Sequence, residues 1–289
     1  MSTALPIIDR PLDNTALGAF MECPKKYEFS MVQHRRLAGQ KSPALAYGTT
    51  WHAMLETYYK GGTDEDILIA AANSWEEHGK PDDHRTFDRV RMEFEAYRKR
   101  WGDDRKDTVG WPSEPIVEVS ANAMWDGALH PYAGKIDRIV SLNGQLFVED
   151  HKTTSQMGNY YFSQFELSNQ MMGYAWLAHQ LTDRWIAGVR INAHACLKRE
   201  SKFAREIVTF SKQRLLDWAG NYNHWVRRVE EAYTTGDFPR NFNACAGKYG
   251  QCIYAQVCAV DPRIREAVLT QQYEVHPWNP LAANDAEPE

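Results

Sequence analysis

Residues 133–152 constrain the fold more than any other stretch of the chain. Ala133–Val140 and Gln145–Lys152 read as strands, and Asn143-Gly144 lies between them. That pair favours a type I′ turn, in which both central residues take positive φ, so the strands should form a tight antiparallel hairpin. Side chains alternate along a strand. Asp150 and Lys152 therefore share one face, Glu149 and His151 share the other, and Asp137 sits on the adjacent strand. Two carboxylates and an ammonium can thus meet at the end of a sheet. The apolar lead-in Leu146 and Val148 puts Asp150 on a face expected to be buried, where carboxylates rarely sit without a metal or an ionic partner. An Asp beside a Lys is also how a solvated ion pair looks, and the hairpin alone leaves both readings open.

The flanking segments say what the hairpin belongs to. Leu17, Phe20, Tyr27 and Met31 mark a helix over 13–36, with a break or a new first turn at Pro24. Further helices are expected over Ala46–Tyr59, which ends at Gly61-Gly62, and over 64–78 and 83–101, separated by Gly79-Lys80-Pro81. A strand over Ile116–Met124 precedes the hairpin. A helix near Tyr160–Leu181, strands at 186–197 and 204–210, and a helix from 211 to 235 follow it. The order β-β-β-α-β-β after a helical start predicts an α/β fold with a mixed central sheet flanked by helices.

Composition narrows the partners. The net charge is −5, from 33 basic and 38 acidic residues, which argues against uniform attraction to nucleic acid. The charge is uneven: Lys198, Arg199, Lys202, Arg205, Lys212 and Arg214 face only Glu200 and Glu206 between Cys196 and Arg214. The segment Asp64–Glu95 and the tail Asp285–Glu289 are acidic. No apolar run approaches the roughly 18 residues of a membrane span, and the residues around Pro6, Asp9 and Pro11 lack the apolar core of a signal peptide. A cytoplasmic protein without membrane contact is expected. Five cysteines in such a chain do not read as a disulfide framework, and the grouping of Cys245, Cys252 and Cys258 points to metal.

The hairpin has the set that phosphodiester hydrolysis needs. Two carboxylates can hold Mg2+ or Mn2+, hard ions that prefer oxygen ligands. Such an ion polarises a phosphoryl oxygen and acidifies water, while Lys152 can orient that water or stabilise charge on the phosphate. Gly134-Lys135-Ile136-Asp137-Arg138-Ile139 followed by Val148-Glu149-Asp150-His151-Lys152-Thr153 resembles the paired signature of RecB-like PD-(D/E)XK nucleases. Three more elements are similar in order and spacing: Phe20-Met21-Glu22-Cys23-Pro24 with Tyr27, Gly48-Thr49-Thr50-Trp51-His52 with Leu55-Glu56, and Gln170-Met171-Met172-Gly173-Tyr174. Together they span residues 13 to 258. The resemblance implies a restriction-endonuclease-like core over 111–240. A helical region over 1–110 carries the first cysteine and the histidine, and a cysteine-rich segment and tail cover 241–289, all within one integrated nuclease domain.

It also implies roles. Asp137, Asp150 and Lys152 would be catalytic, and His52, Asp137, Asp150 and the His151 main-chain carbonyl would hold the metal. Neutral imidazole suits Mn2+ better than Mg2+. On residue type alone, His52 is equally a surface or core histidine. Gln170 and Tyr174 lie one turn apart on a helix. They read either as packing residues or as hydrogen-bonding groups beside the active site. Glu118, on the strand before the hairpin, is a candidate additional acid, although alternation with Val117 and Val119 can also place it on a solvated face.

Thiolate ligation of iron or zinc takes four sulfurs, and Cys23, Cys245, Cys252 and Cys258 supply four outside Cys196, which ends an apolar strand and reads as a small hydrophobe. One cysteine before the core and three after it resembles the [4Fe–4S] staple of AddB-type and related CRISPR adaptation nucleases. Here six residues, Ala246 to Gln251, separate the first pair of the trio where two are commoner. A structural Zn2+ site or reduced thiols stay open.

Lys198, Arg199, Lys202 and Arg205 in a hairpin, Arg138 beside Asp137, and Trp51 as a stacking platform are the DNA-binding candidates. The function expected is metal-dependent DNA hydrolysis, as an exonuclease or flap-type trimmer of single-stranded DNA or duplex ends. Alternatives are a non-catalytic iron–sulfur DNA-end-binding subunit of a repair or recombination complex, and a site-specific endonuclease. With no G-x-x-x-x-G-K-[ST] motif, a helicase or recombination partner is expected to be a separate chain.

Overall fold

The structure, a computed structural model, describes residues 10–38, 42–110, 113–247 and 250–281. The tail Asp285–Glu289 and the residues around Pro6 and Asp9 lie outside these. Where one helix was expected over 13–36, there are α1 (Asn14–Glu22), α2 (Pro24–Tyr27) and a π-helical turn over Glu28–Val32. Pro24 causes the division. It lacks an N–H, so Cys23 leaves α1 in extended backbone (φ −161°, ψ 113°) and Pro24 starts the next helix.

Strand β1 (Arg35–Leu37) and helices α3 (Pro43–Tyr59), α4 (Asp64–His78) and α5 (Phe87–Trp101) follow. Next come β2 (Val117–Ala123), β3 (Tyr132–Leu142), β4 (Gln145–Thr154), α6 (Asn169–Thr182), β5 (Ile186–Cys196), β6 (Ser201–Thr209) and α7 (Lys212–Thr235). The chain continues through β7 (Ala246–Gly247), β8 (Gly250–Gln251), α8 (Ala255–Ala259), α9 (Arg265–Gln272) and β9 (Tyr273–Val275). Helix α6 begins at Asn169, nine residues after the expected Tyr160, because Ser168 caps it through Met171 N and the residues before it form their own 3-10 turn over Phe162–Phe165. None of the described helices is long and apolar enough to cross a membrane.

Two compact units share the chain. Long-range packing, not chain order, assembles each unit. One contains residues 41–123 and 134–218; the other contains 1–40, 124–133 and 219–289.

The first unit is built on a five-stranded sheet in the order β2-β3-β4-β5-β6. Asn143 (φ 50°) and Gly144 (φ 79°) form the expected two-residue turn and pair Leu142 with Gln145 and Arg138 with Glu149. Strands β4 and β5 are parallel, with Asp150 opposite Ile191 and Lys152 opposite Ala193. A parallel pair needs a crossover, and α6 provides it. β6 returns antiparallel to β5. Tyr47, Trp51, Leu55, Tyr59, Phe94 and Tyr97 form a buried, largely aromatic layer on α3 and α5, stabilised by apolar burial worth roughly 2 kcal/mol per large side chain.

The other unit pairs β1 with β9, Arg35 opposite Val275 and Leu37 opposite Tyr273. Phe29, Tyr254, Val257, Leu269 and Tyr273 form its buried core, with Cys252 and Cys258 packed against it.

Candidate metal-dependent active site

Four elements bring the site together. β4 carries Asp150 and Lys152, β3 carries Lys135 and Asp137, β2 carries Glu118 and α3 carries His52. Helix α6 adds Gln170 and Tyr174.

Lys152 Nζ lies 3.0 Å from Asp150 Oδ1 and donates to Gln170 Oε1 at 3.2 Å. Gln170 Nε2 in turn donates to the Tyr174 hydroxyl at 3.0 Å. The spacing of four residues in Gln170 and Tyr174 places both on one helix face, and here that face meets Lys152. The glycine of Gly134-Lys135-Ile136-Asp137 has a steric reason. A Cβ there would lie 2.8 Å from the Tyr174 ring, so only glycine lets that ring lie against β3.

His52, Glu118 and Asp137 bring one ligand atom each within 4.8 Å of one another. His52 Nε2 lies 3.1 Å from the His151 carbonyl oxygen, and Nδ1 lies 3.2 Å from Glu118 Oε1 and 3.9 Å from Asp137 Oδ2. Were Nε2–H to donate to the carbonyl when a cation is bound, Nδ1 would be the ligating atom. This is the tautomer a metal-ligating histidine needs. The His151 carbonyl keeps its second lone pair. Asp137 Oδ2 also accepts the His151 main-chain N–H at 2.7 Å.

Glu118 departs from the solvated position that alternation allowed. Its side chain is 3% exposed, with Lys135 Nζ at 2.7 Å from Oε2. Its φ of 53° explains the difference. A non-glycine residue in the left-handed region breaks the strand's alternation and turns the carboxylate inward. Lys135 was not among the candidates, although it shares a strand face with Asp137 two residues on.

The charges are unevenly balanced. Burial pushes the Asp137 carboxyl well above the usual range, and Glu118 and Asp150 add to this against His52 and Lys152. Burial also acts on Glu118, but His52 and Lys135 outweigh it and hold that carboxyl low. Burial drives the His151 imidazole down to about 3, so it is neutral. A buried set of carboxylates, one imidazole nitrogen and a main-chain carbonyl fits a divalent cation of the Mn2+ or Mg2+ kind, whose charge the set lacks.

Of the sequence candidates for DNA contact, Arg138 and Trp51 are buried and Arg205 is partly buried. Arg138 is 0% exposed, between Glu149 Oε1 at 2.9 Å and the Tyr59 ring at 3.7 Å. Neighbouring strand residues face opposite ways, so its adjacency to Asp137 puts it on the far face of the sheet. Arg205 bonds Asn192 Oδ1 at 3.0 Å and Asp104 Oδ2 at 2.6 Å. Trp51 is 1% exposed, and its ring centroid lies 4.0 Å from that of His194; one residue along a helix turns the side chain about 100° away from His52. Lys198 and Arg199, in the turn between β5 and β6, are exposed, as is Lys202, which pairs with Glu200 at 2.9 Å.

In the other unit, Tyr27 packs against Phe20, Tyr233 and Phe238, which sets Cys23 beside the segment that leads to Cys245. Asn241 N donates to Cys23 Sγ at 3.4 Å. The six residues between Cys245 and Cys252 include the β7–β8 pair, Ala246 opposite Gln251. That hairpin returns the chain so that Cys252 N bonds Cys245 O at 2.9 Å. Burial raises the Cys258 thiol, and Cys23, Cys252 and Cys245 add to the effect. Cys196 is buried in the first unit, as a small hydrophobe would be.

A histidine on a helix, set against carboxylates and a lysine on adjacent strands of a mixed sheet, is an arrangement suited to a metal-dependent nuclease. The PD-(D/E)XK nuclease superfamily matches residues 14–259, and the chain belongs to it. It is accordingly a metal-dependent nuclease that hydrolyses phosphodiester bonds. The fold is similar to a crystal structure from Eubacterium rectale described as "Putative exonuclease". That likeness has 14% identity and a TM-score of 0.55, covering 87% of this chain and 89% of that one. The crystal structure of SSO0001 is matched at 15% identity over 76% of this chain and 87% of that one, with a TM-score of 0.31. No curated protein matches the sequence.

Proposed function

We propose that this nuclease acts on DNA and shortens single strands from an end, as an exonuclease or flap trimmer. The observation that carries the reading is Lys152, fixed between Asp150 and Gln170 at the edge of the His52, Glu118 and Asp137 group. A binding module has no use for a lysine held this way.

His52 Nδ1, Asp137, Glu118 and Asp150 would hold the divalent cation, with the His151 carbonyl nearby. When bound, the cation supplies Lewis-acid stabilisation of the phosphoryl group. Lys152 keeps its ammonium where the attacked phosphate and the attacking water would meet, and Gln170 and Tyr174 hold it there. Lys198 and Arg199, exposed at a turn, are the phosphate contacts this reading favours. Replacing either with alanine should flatten the salt dependence of binding by about one unit of slope.

Cys23, Cys245, Cys252 and Cys258 are read as the ligands of a [4Fe–4S] cluster. Elemental analysis distinguishes that cluster from a structural zinc site held by the same four thiols. We read the chain as a cytoplasmic protein that works beside a separate helicase or recombination protein.

End-labelled single- and double-stranded DNA incubated with Mn2+ or Mg2+, using protein purified without oxygen, tests this. Progressive shortening by wild type but not by Lys152→Ala is expected. Tight DNA binding without cleavage in either protein would favour a non-catalytic end-binding subunit, and discrete internal fragments would favour a site-specific endonuclease.

A further inference from the structure

Trp51 is buried, but Tyr160, in a loop joined to the site, is exposed. It lies in residues 155–168, which leave the end of β4 two residues after Lys152 and return at α6 one residue before Gln170. The Lys152–Gln170 hydrogen bond closes this loop at its base, so the loop grows directly out of the active site.

Its build is ordered. Tyr161 packs edge-on against Phe162 and Phe165, with centroids 5.1 and 5.5 Å away, and Phe165 is buried. Ser163 Oγ donates to the Tyr160 carbonyl at 2.8 Å, and Tyr161 N donates to Gly158 O at 3.0 Å. On this small core, Tyr160 stands 86% exposed. The next residue feels Lys152 and Asp150, since burial lifts the Tyr161 hydroxyl to about 12 while Lys152 opposes and Asp150 adds to the rise. Between Ser155 and Ser168 the only charged residue is Glu166. A loop without a cation cannot hold phosphate by charge; what it offers is an aromatic face.

We propose that Tyr160 is a stacking platform for an unpaired nucleobase next to the scissile phosphate, and that this contact makes the nuclease select single strands. The proposal deepens the nuclease reading above and rests on it. Inside a duplex each base face is covered by its neighbours, so an internal base presents a face only once it is unpaired, whereas a flexible single strand presents one at any position. Tyr160 pays little entropy on binding because its backbone is already fixed. Leu167, 79% exposed in the same loop, extends the apolar surface.

The test uses full-length protein and a short oligo(dT) carrying one 2-aminopurine at successive positions. Binding is read in EDTA, where the strand stays uncut, and cleavage is read separately in Mn2+. Tyr160→Ala is expected to weaken single-strand binding and raise KM by roughly 5- to 150-fold, the range for loss of one base–aromatic stack. Duplex binding and kcat should change by less than about twofold on the same grounds, since no stack is lost there. Tyr160→Phe should retain binding, and the fluorescence change at one 2-aminopurine position should vanish only in the alanine variant. Equal fluorescence and equal affinity in wild type and Tyr160→Ala would overturn the proposal. So would a variant that alters only the sedimentation of the protein, which would make the loop a protein contact. The fluorescence readout needs no cleavage, so an inactive wild type would count against the nuclease reading and leave the stacking test intact.

Discussion

Gln170 accepts a hydrogen bond from Lys152 across the space between α6 and β4, 3.2 Å from atom to atom. The lysine therefore has two anchors, Asp150 and Gln170, and both bear on where its charge rests. Lys152→Ala should lower single-turnover cleavage by about 100- to 1,000-fold while leaving DNA affinity nearly unchanged. Gln170→Ala removes an anchor and not the charge, so a loss of about tenfold is expected, the smaller cost of imperfect positioning. Equal losses in the two variants would mean Gln170 does more than hold the lysine.

Gly134→Ala should be costly although it adds one methyl group. The new Cβ would meet the Tyr174 ring at 2.8 Å. Either Tyr174 moves and releases Gln170, or β3 shifts. A destabilisation of about 1–3 kcal/mol from overpacking is expected in urea melts, with cleavage reduced further than stability alone accounts for. Tyr174→Ala in the same background should restore stability without restoring activity.

Divalent metal should raise the melting temperature, because a ligand bound by the native state alone stabilises it by about 2.7 kcal/mol at a hundred times its Kd. Asp137→Asn should abolish that rise in a Mn2+ titration followed by thermal melting. His52→Ala should weaken it and shift the preference from Mn2+ towards Mg2+, since the imidazole nitrogen favours the former.

Glu149 predicts how the protein meets acid. It is fully buried between Arg138 and Arg190. Burial opposes its ionisation, but Arg190, Arg138 and Arg205 outweigh this and hold the carboxyl at about 2, against 4.5 for the free group. A depressed carboxyl pKa contributes stability that is present above about pH 4.5 and lost as pH falls through about 2. Chemical denaturation across that window should show wild type losing stability. Glu149→Gln should be flatter there, and weaker at pH 7 by about 3–5 kcal/mol for the stranded arginines.

Cys23→Ser and Cys258→Ser should each lower bound iron and visible absorbance in anaerobically purified protein, whereas Cys196→Ser should leave both unchanged. Zinc in place of iron by elemental analysis would overturn the cluster reading and leave the ligand set standing.

The succession of strands and helices along the chain and the hairpin were legible because they rest on local signals: alternation, and a turn whose two residues both accept positive φ. Asp137, Asp150 and Lys152 come from that same local pattern. The inward turn of Glu118 was not legible, because it depends on one residue in the left-handed region, which sequence does not announce for a glutamate; Lys135 was passed over although alternation puts it on the face of Asp137. Arg138 was misplaced for a different reason. Alternation already sends it away from Asp137, but its charge suggested DNA, and only the structure reveals Glu149 and Arg190 waiting in the core. The six-residue gap in the cysteine trio carries the short strands β7 and β8, which no pattern in the sequence marked.

The hydrogen bond from Asn241 to Cys23 joins residues 218 apart, and the aromatic packing of Tyr27 on Tyr233 and Phe238 spans a similar stretch of chain. During synthesis the early helix thus emerges long before anything it packs against exists. Until then its apolar face has no native neighbour, and this part of the protein should be the last to resist proteases on the ribosome. Contacts so distant in sequence form slowly, so the helix that displays Cys23 reports, by its protection, that translation has passed residue 241.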